Sequence, residues 1–472
     1  MDVQHSEPYE EFLQEAQEQL SGLEISSIEV PKEIPKTIND FPPEVLGEIL
    51  EHVVSNSTYL CSKAISTPMI LAQVSSTWRA IVFSNPRIWN SIVVDCGNWQ
   101  NMNQITEAAQ RHLSNSRSLP ISIHAIGFLP DGDPGPSNHY MIQNLLSPYI
   151  SRIRHLSLAF PSGWLSTFLQ HDIDGSEIQS LESVNLVYHP TGRSRGVTTN
   201  NIFANAPRLR SFEMRYASPW CWQISGTMLN LPWRQLKEAH FINVIIAPQD
   251  VASILQQCTQ LETCSLTVQK DSPFEEIPFF PHTDTAVYSI RSLTIHAPKS
   301  YQFDRYLGRI RFPSLEHLRI TFVNFPDGHV GKKWSQEQFT NLINRSHCQL
   351  RVLSTSAEVS HQDIEAILGN VPSLVELDVL AGEPISASTV RLMCHGLLAP
   401  NLEVIKCAVS PDMLSDFLDM LDCRYVPRKS RAIYRGVRSA LISCSKRTEG
   451  YNQVRERIIE FRSGGRDVTV VG

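Results

Sequence analysis

Reactive side chains are abundant in this chain, so their spacing decides what they could do. Its 16 histidines and 48 Asp and Glu residues could act as general acids, bases or metal ligands, and its 10 cysteines as nucleophiles. Such chemistry needs fixed patterns: two histidines a helical turn apart for a metal, a G-x-S-x-G elbow for acyl transfer, a glycine-rich loop for phosphates. No two histidines are spaced i, i+4, and H-E-x-x-H, G-x-G-x-x-G and G-x-x-x-x-G-K-[ST] are all missing from the sequence, while G-x-S-x-G occurs once, as "GRSRG" at 192–196. "HVGKKW" at 329–334 lacks both the leading glycine spacing and the Ser or Thr of a phosphate loop. The cysteines stand at 61, 96, 221, 258, 264, 348, 394, 407, 423 and 444 with no C-x-x-C. They read as reduced core thiols. The expectation is a protein that is not an enzyme, with no catalytic residue, no metal and no cofactor.

A different set of polar residues does recur at a fixed place. From residue 150 onward the chain repeats one phrase: apolar, two spacers, apolar, one spacer, apolar. It is seen in "ISRIRHLSL", "APRLRSFEM", "FPSLEHLRI" and "VPSLVELDV". The first apolar positions are 153, 181, 209, 236, 261, 290, 315, 350, 374 and 402, at intervals of 28, 28, 27, 25, 29, 25, 35, 24 and 28. A period near 28 in L-x-x-L-x-L form signals leucine-rich repeats, in which short parallel strands stack into a curved sheet and the return segments cover its back. "MIQNLLSPYI", "VASILQQC", "EQFTNLINRSH" and "HQDIEAILGNV" have the three- and four-residue apolar spacing of helical returns. The Asn or Cys usual after the third apolar position is mostly absent, as at Pro161, His189, Ala217, Val244 and Gln269. Irregular turns are therefore expected. "FLPDGDPGPSN" (128–138), "DSPFEEIPFFPHTDT" (271–285) and "FVNFPDGHVGKKW" (322–334) are expected to be rim loops.

In such an array the spacer between the second and third apolar positions, and the residue after the third, face the concave side. The chemically expressive members are Glu213, Arg215, His240, His296, Arg319, Asp378 and Lys406. Ten strands at about 4.8 Å make a face roughly 45 Å long, enough for a standard protein interface. These seven are the expected contacts to an unidentified target protein.

Ahead of the repeats lies a short helical unit. Pro42-Pro43-Glu44 is a good helix start, because proline gives up no needed N–H and the carboxylate meets the positive helix end. Val45, Leu46, Ile49, Leu50 and Val53 follow at helical spacing; then Ile70, Val74, Trp78 and Ile81 form a second stripe, ended by Asn85-Pro86. Two short helices and a Trp wedge bury little by themselves, so the unit must dock on its own chain or on a partner.

"FPPEVLGEIL…VSSTWRAIVFSNPRIWNSI" resembles an F-box, a module of roughly 40–50 residues, over residues 39–92. Phe41 stands where Leu is usual, and the loop between the helices is longer than the common pattern. The resemblance implies three helices that dock on a Skp-type adaptor, and through it a cullin, by way of Phe41, Pro42, Val45, Leu46, Ile49, Leu50 and Trp78. The whole chain is similar to F-box proteins with degenerate leucine-rich repeats, common in mushroom-forming fungi.

The expected fold is therefore α/β: an acidic N-terminal helix and linker (1–38), a three-helix F-box (39–92), a leucine-rich-repeat solenoid (93–410) and a basic C-terminal cap (411–472). The strand candidates "WNSIVVD" (89–95) and "LPISIHA" (119–125) would bridge knob and array. The net charge of −7 hides a polarity: residues 1–60 carry thirteen acidic groups against two lysines, and 424–466 carry twelve Lys and Arg against three Glu. The basic tail, with its tyrosines, is read as a solvated cap and not as a nucleic-acid site. With no apolar leader and no membrane-length run, a cytoplasmic or nuclear protein is expected. The function implied is that of a substrate receptor for a Skp–cullin–F-box ubiquitin ligase, the alternative being an interaction scaffold without ubiquitin transfer.

Overall fold

The computed structural model describes residues 38, 41–55, 59–60, 66–96, 101–127, 142–161, 165, 168–169, 178–189, 202–217, 222–224, 230–246, 248–267, 285–298, 310–323, 334–425, 436–444, 449–463 and 467–471. The segment 10–25 and most of the three expected rim loops lie outside these residues.

Three helices open the described chain: α1 (Pro43–Ser55), α2 (Thr67–Leu71) and α3 (Ser76–Ser84), followed by a tight 3-10 turn at Pro86–Trp89. Proline starts α2 and the last turn, and the Ser75 side chain caps α3 by accepting from the Trp78 N–H at 3.1 Å. Leu46, Leu50, Val54, Ala72, Ile81, Val82, Ile88 and Trp89 close into a small core of their own. The Trp89 indole N–H donates to the Val82 carbonyl at 2.8 Å, which satisfies the one polar atom of a side chain that is 1% exposed.

Behind this knob runs a ladder of strands: β1 (Tyr59–Leu60), β2 (Ser91–Asp95), β3 (Ile121–Ile126), β4 (Ile153–Pro161), β5 (Ser183–His189) and β6 (Ser211–Tyr216). It continues through β7 (Trp222–Ile224), β8 (Glu238–Ile246), β9 (Thr263–Thr267), β10 (Thr285–Ala286), β11 (Ser292–Pro298) and β12 (Ile310–Arg311). The last are β13 (His317–Val323), β14 (Val352–Thr355), β15 (Glu376–Val379), β16 (Val404–Ala408), β17 (Ser439–Ser443) and β18 (Asp467–Val471). Sixteen of them form one sheet in chain order, with β7 as a side branch on β8 and β10–β12 as a separate pair. The pairings along this ladder are parallel, as a stacked repeat requires.

The repeat phrase explains the packing. All ten first apolar positions, from Ile153 to Leu402, are buried to 1% or less. Alternate strand residues join them and the returning helices in one continuous core. Those helices are α4 (Met102–Ser114), α5 (Pro248–Gln257), α6 (Gln336–Ser346), α7 (His361–Asn370), α8 (Ala387–Cys394), α9 (Leu414–Tyr425) and α10 (Glu449–Ser463). Three of the four expected returns are α5, α6 and α7. The fourth, "MIQNLLSPYI", makes π and 3-10 turns over 142–152. An irregular turn also falls in β8. There Asn243 is left-handed (φ 57°), the pairing with β9 shifts register, and Thr267 Oγ1 accepts from the Asn243 N–H at 2.9 Å.

The ladder extends past both expected boundaries. β1 emerges from the connection between α1 and α2 and pairs with β2, Tyr59 opposite Val93 and Leu60 opposite Val94. β2 and β3 are full rungs. At the far end β17 and β18 add two more, so residues 411–472 continue the array with α9 and α10. One basic residue of that tail is core: Arg424 is 1% exposed and donates to the carbonyls of Ala399 and Pro400 at 3.0 and 3.1 Å. No described helix is long and apolar enough to cross a membrane.

Candidate functional site

The knob presents two apolar stripes on α1, one residue apart. Val45, Ile49 and Val53 point outward and are 40%, 38% and 54% exposed. Leu46, Leu50 and Val54 point inward and are 1%, 0% and 4% exposed. Phe41 and Pro42 continue the outer stripe in solvent. Of the seven expected adaptor contacts, Leu46 and Leu50 are thus corrected: they build the knob's core and cannot touch a partner without unfolding it. Trp78 is half-buried and packs against that core, and its indole N–H has no hydrogen-bond partner among the described residues. Met69, Ile70 and Val74 are exposed apolar residues that the expected contact set left out. Ile70 and Val74 were expected on one stripe with Trp78 and Ile81, but the helix breaks between Leu71 and Ser76, so Ile81 goes inside while Ile70 and Val74 stay out.

The knob is joined to the ladder by packing as well as by chain. The Trp89 ring lies 5.0 Å from the His112 ring of α4. Burial pushes the His112 imidazole down to about 4, weakly opposed by the Ser91 backbone, so the ring is neutral where it meets Trp89.

On the ladder, the seven expected target residues all lie on the sheet face opposite the helices, in two register rows. Glu213, His240, Ser265, Thr294, Arg319, Ser354, Asp378 and Lys406 are consecutive Cα partners across eight strands. Arg215 and His296 stand two residues further along β6 and β11. The set does not form one pocket. Glu213 and Asp378 are six strand steps apart, about 29 Å at about 4.8 Å per step.

Instead the face is divided. At one end Arg215 Nη2 donates to Glu213 Oε1 at 2.9 Å. At the other Lys406 Nζ lies 2.9 Å from Glu376 Oε1 and 3.6 Å from Asp378 Oδ2. The Glu376 hydrogen bond is the main reason its ammonium is held above the usual lysine range. Between them His240 Nδ1 is 3.0 Å from Ser265 Oγ, and His296 Nδ1 is 2.6 Å from Thr321 Oγ1. Burial lowers the affinity of His296 for a proton, and the charges of Arg215, Arg319 and His240 lower it further.

A third feature escaped the expected set. The residue directly after each first apolar position is charged in nine of the ten repeats, and its sign tends to alternate: Arg154, Glu182, Arg210, Lys237, Glu262, Arg291, Glu316, Arg351 and Glu403. Cross-strand pairs follow, Arg154–Glu182 at 2.8 Å, Lys237–Glu262 at 3.4 Å, Arg291–Glu316 at 3.2 Å and Arg438–Glu403 at 3.8 Å. Such pairs contribute only a few tenths of a kcal/mol each but penalise a slipped strand. The signal for it lies in the sequence itself, one residue after each first apolar position.

The buried thiols are poor nucleophiles. Burial pushes Cys258 and Cys407 up to about 12, and burial with the Asp95 charge does the same to Cys96. Among the described residues no three His, Cys, Asp or Glu side chains gather as a metal site.

No family model and no curated relative matches the chain. Solved structures similar to it include a Bacteroides fragilis protein, 11% identical, covering 65% of this chain and 69% of that one with a TM-score of 0.32. Another is the yeast complex of Rad7 and Elc1, 12% identical, covering 86% of this chain and 94% of that one with a TM-score of 0.34. Likenesses this distant leave function to the residues of the chain itself.

Proposed function

We propose that this chain is the substrate-recognition subunit of a Skp–cullin–F-box ubiquitin ligase, with residues 39–92 as an F-box on the adaptor and the ladder's open face on a target protein. One observation carries the reading: the knob's core is complete without Phe41, Val45, Ile49 and Val53, yet these four stay in solvent. An apolar stripe not needed for folding fits a partner surface. The F-box-like motif in the same helices supports an adaptor as that partner. The protein then acts by proximity: a lysine of the bound target is held within reach of a conjugating enzyme brought by the cullin, which raises its effective concentration. Its place of work would be the cytoplasm or nucleus.

The test is co-purification of the full chain with a Skp-type adaptor. The Val45→Asp/Ile49→Asp variant is expected to lose the adaptor by more than a hundredfold in affinity, because two branched side chains contribute about 1.5–3 kcal/mol each when buried. Its melting curve should match the wild type. Retention of the adaptor by the variant, or no binding by the wild type, overturns the reading. Adaptor binding without ubiquitin transfer to any bound protein would instead favour a scaffold.

A further inference from the structure

On the open face, carboxylates are unevenly placed. β6 and β8 carry Glu213 and Glu238, and β15 carries Glu376 and Asp378. Between them, on β9, β11, β13 and β14, none of the residues on the three outward rows of the strands is acidic. On its two central rows the side chains open to solvent are hydroxyls, one imidazole and one guanidinium, those of Thr294, His296, Arg319, Thr321 and Ser354, while Ser265 is buried beside His240. The carboxylates on both flanks already have partners, Arg215 for Glu213 and Lys406 for Glu376 and Asp378. Arg319 is exposed and makes no ion pair with any described residue. It stands between Thr294 and Ser354 in its row, one strand from His296.

We infer that this window is the part of the open face that grips the target, and that it takes an extended protein segment with an Asp or Glu side chain placed on Arg319. The inference rests on the proposal that the open face binds a target. An exposed guanidinium among hydroxyls is a bidentate donor for one carboxylate, and neighbouring hydroxyls can serve the remaining lone pairs. The charge count selects the carboxylate. Arg319 is the one Lys or Arg on the described strands of the window, which balances a monoanion, and burial disfavours a second charge on His296. A phosphoryl group, at about −1.5 to −2, would be left partly uncompensated.

A random 12-residue peptide library displayed on phage, selected on the immobilised full-length protein, tests this. The wild type should enrich peptides with Asp or Glu. Ser354→Trp, which fills the window from the neighbouring strand, should abolish the enrichment. Arg319→Gln should weaken the selected peptides about tenfold or more, as expected for a lost charged hydrogen bond, and remove the acidic preference. Arg319→Lys should restore part of it, and melting curves should not separate these variants. If no peptide is enriched, or enriched peptides ignore Ser354→Trp, the open face is not the target site and the underlying proposal falls. If they need the face but are indifferent to Arg319→Gln, only the present inference is overturned. Peptides that bind tighter when their acidic residue is replaced by phosphoserine overturn the choice of carboxylate.

Discussion

The knob and the ladder both leave surface open, and they leave opposite kinds. On the knob the open surface is aliphatic, a stripe of Phe41, Val45, Ile49 and Val53 backed by a core sealed without it. On the ladder most aliphatic residues are taken up by the continuous core, and the open rows hold mainly hydroxyls, imidazoles and ion pairs, with a few half-buried aliphatics such as Ile242 and Val352. An apolar stripe gives non-directional attraction, suited to one partner met in the same way each time. A polar face gives direction and discrimination, because an unpaired donor or acceptor on the wrong partner is costly. The division fits a common dock at one end and a selective grip along the other.

The strongest way to break this comparison is to remove the join. Trp89→Ala should destabilise the knob by about 3–5 kcal/mol, as large-to-small core changes do, while the ladder keeps its own core. Thermal unfolding with limited proteolysis should then show cleavage within α1–α3 well below the ladder's melting temperature. A single unchanged transition would mean that the two cores are one unit.

A smaller effect is expected from pH. His112 is neutral in the fold with a value near 4, against about 6.5 when unfolded. Below about 6.5 the unfolded chain gains a proton that the folded chain refuses until about 4. Stability therefore falls as the pH drops through that window and is unaffected by this group above it. The loss is at most about 3 kcal/mol. His112→Phe should flatten this part of the stability curve, and a curve unchanged by that substitution would assign the dependence elsewhere.

The smallest expected effect sharpens the comparison on the ladder's side. Arg291→Gln breaks an exposed pair with Glu316 and should cost under about 1 kcal/mol, less at high salt. A larger loss, measured by denaturant midpoint, would show that the alternating rung governs more than register.

Much of the ladder was legible because L-x-x-L-x-L ties sequence spacing directly to burial, and every counted first position is buried. The last two rungs were hidden. In "VRSALIS" the small Ala440 takes the second apolar place, and β18 brings only Val468 and Val470 inward, both amid a run of basic residues that reads as solvated tail. β1 is two residues long, below what any periodicity can register. The knob posed a different difficulty. Residues 45, 46, 49, 50, 53 and 54 of α1 are all apolar, so two neighbouring stripes fit helical spacing equally well. Only the position of α3 and Trp89 decides that 46, 50 and 54 go inside. Similarly, sequence spacing selected Glu213, Arg215, Asp378 and Lys406 as expressive residues but not their mutual pairing, which spends their charge within the chain and leaves Arg319 without such a partner among the described residues.

One detail bears on how such a molecule would operate. The sheet's first rung is drawn from inside the knob, so among the described residues strand pairing and the Trp89–His112 contact both tie the two ends together. A partner on α1 would be aimed by that seam, as a sight is bolted to a barrel. On the proposed function, reach toward a target would then be set by how the chain folds.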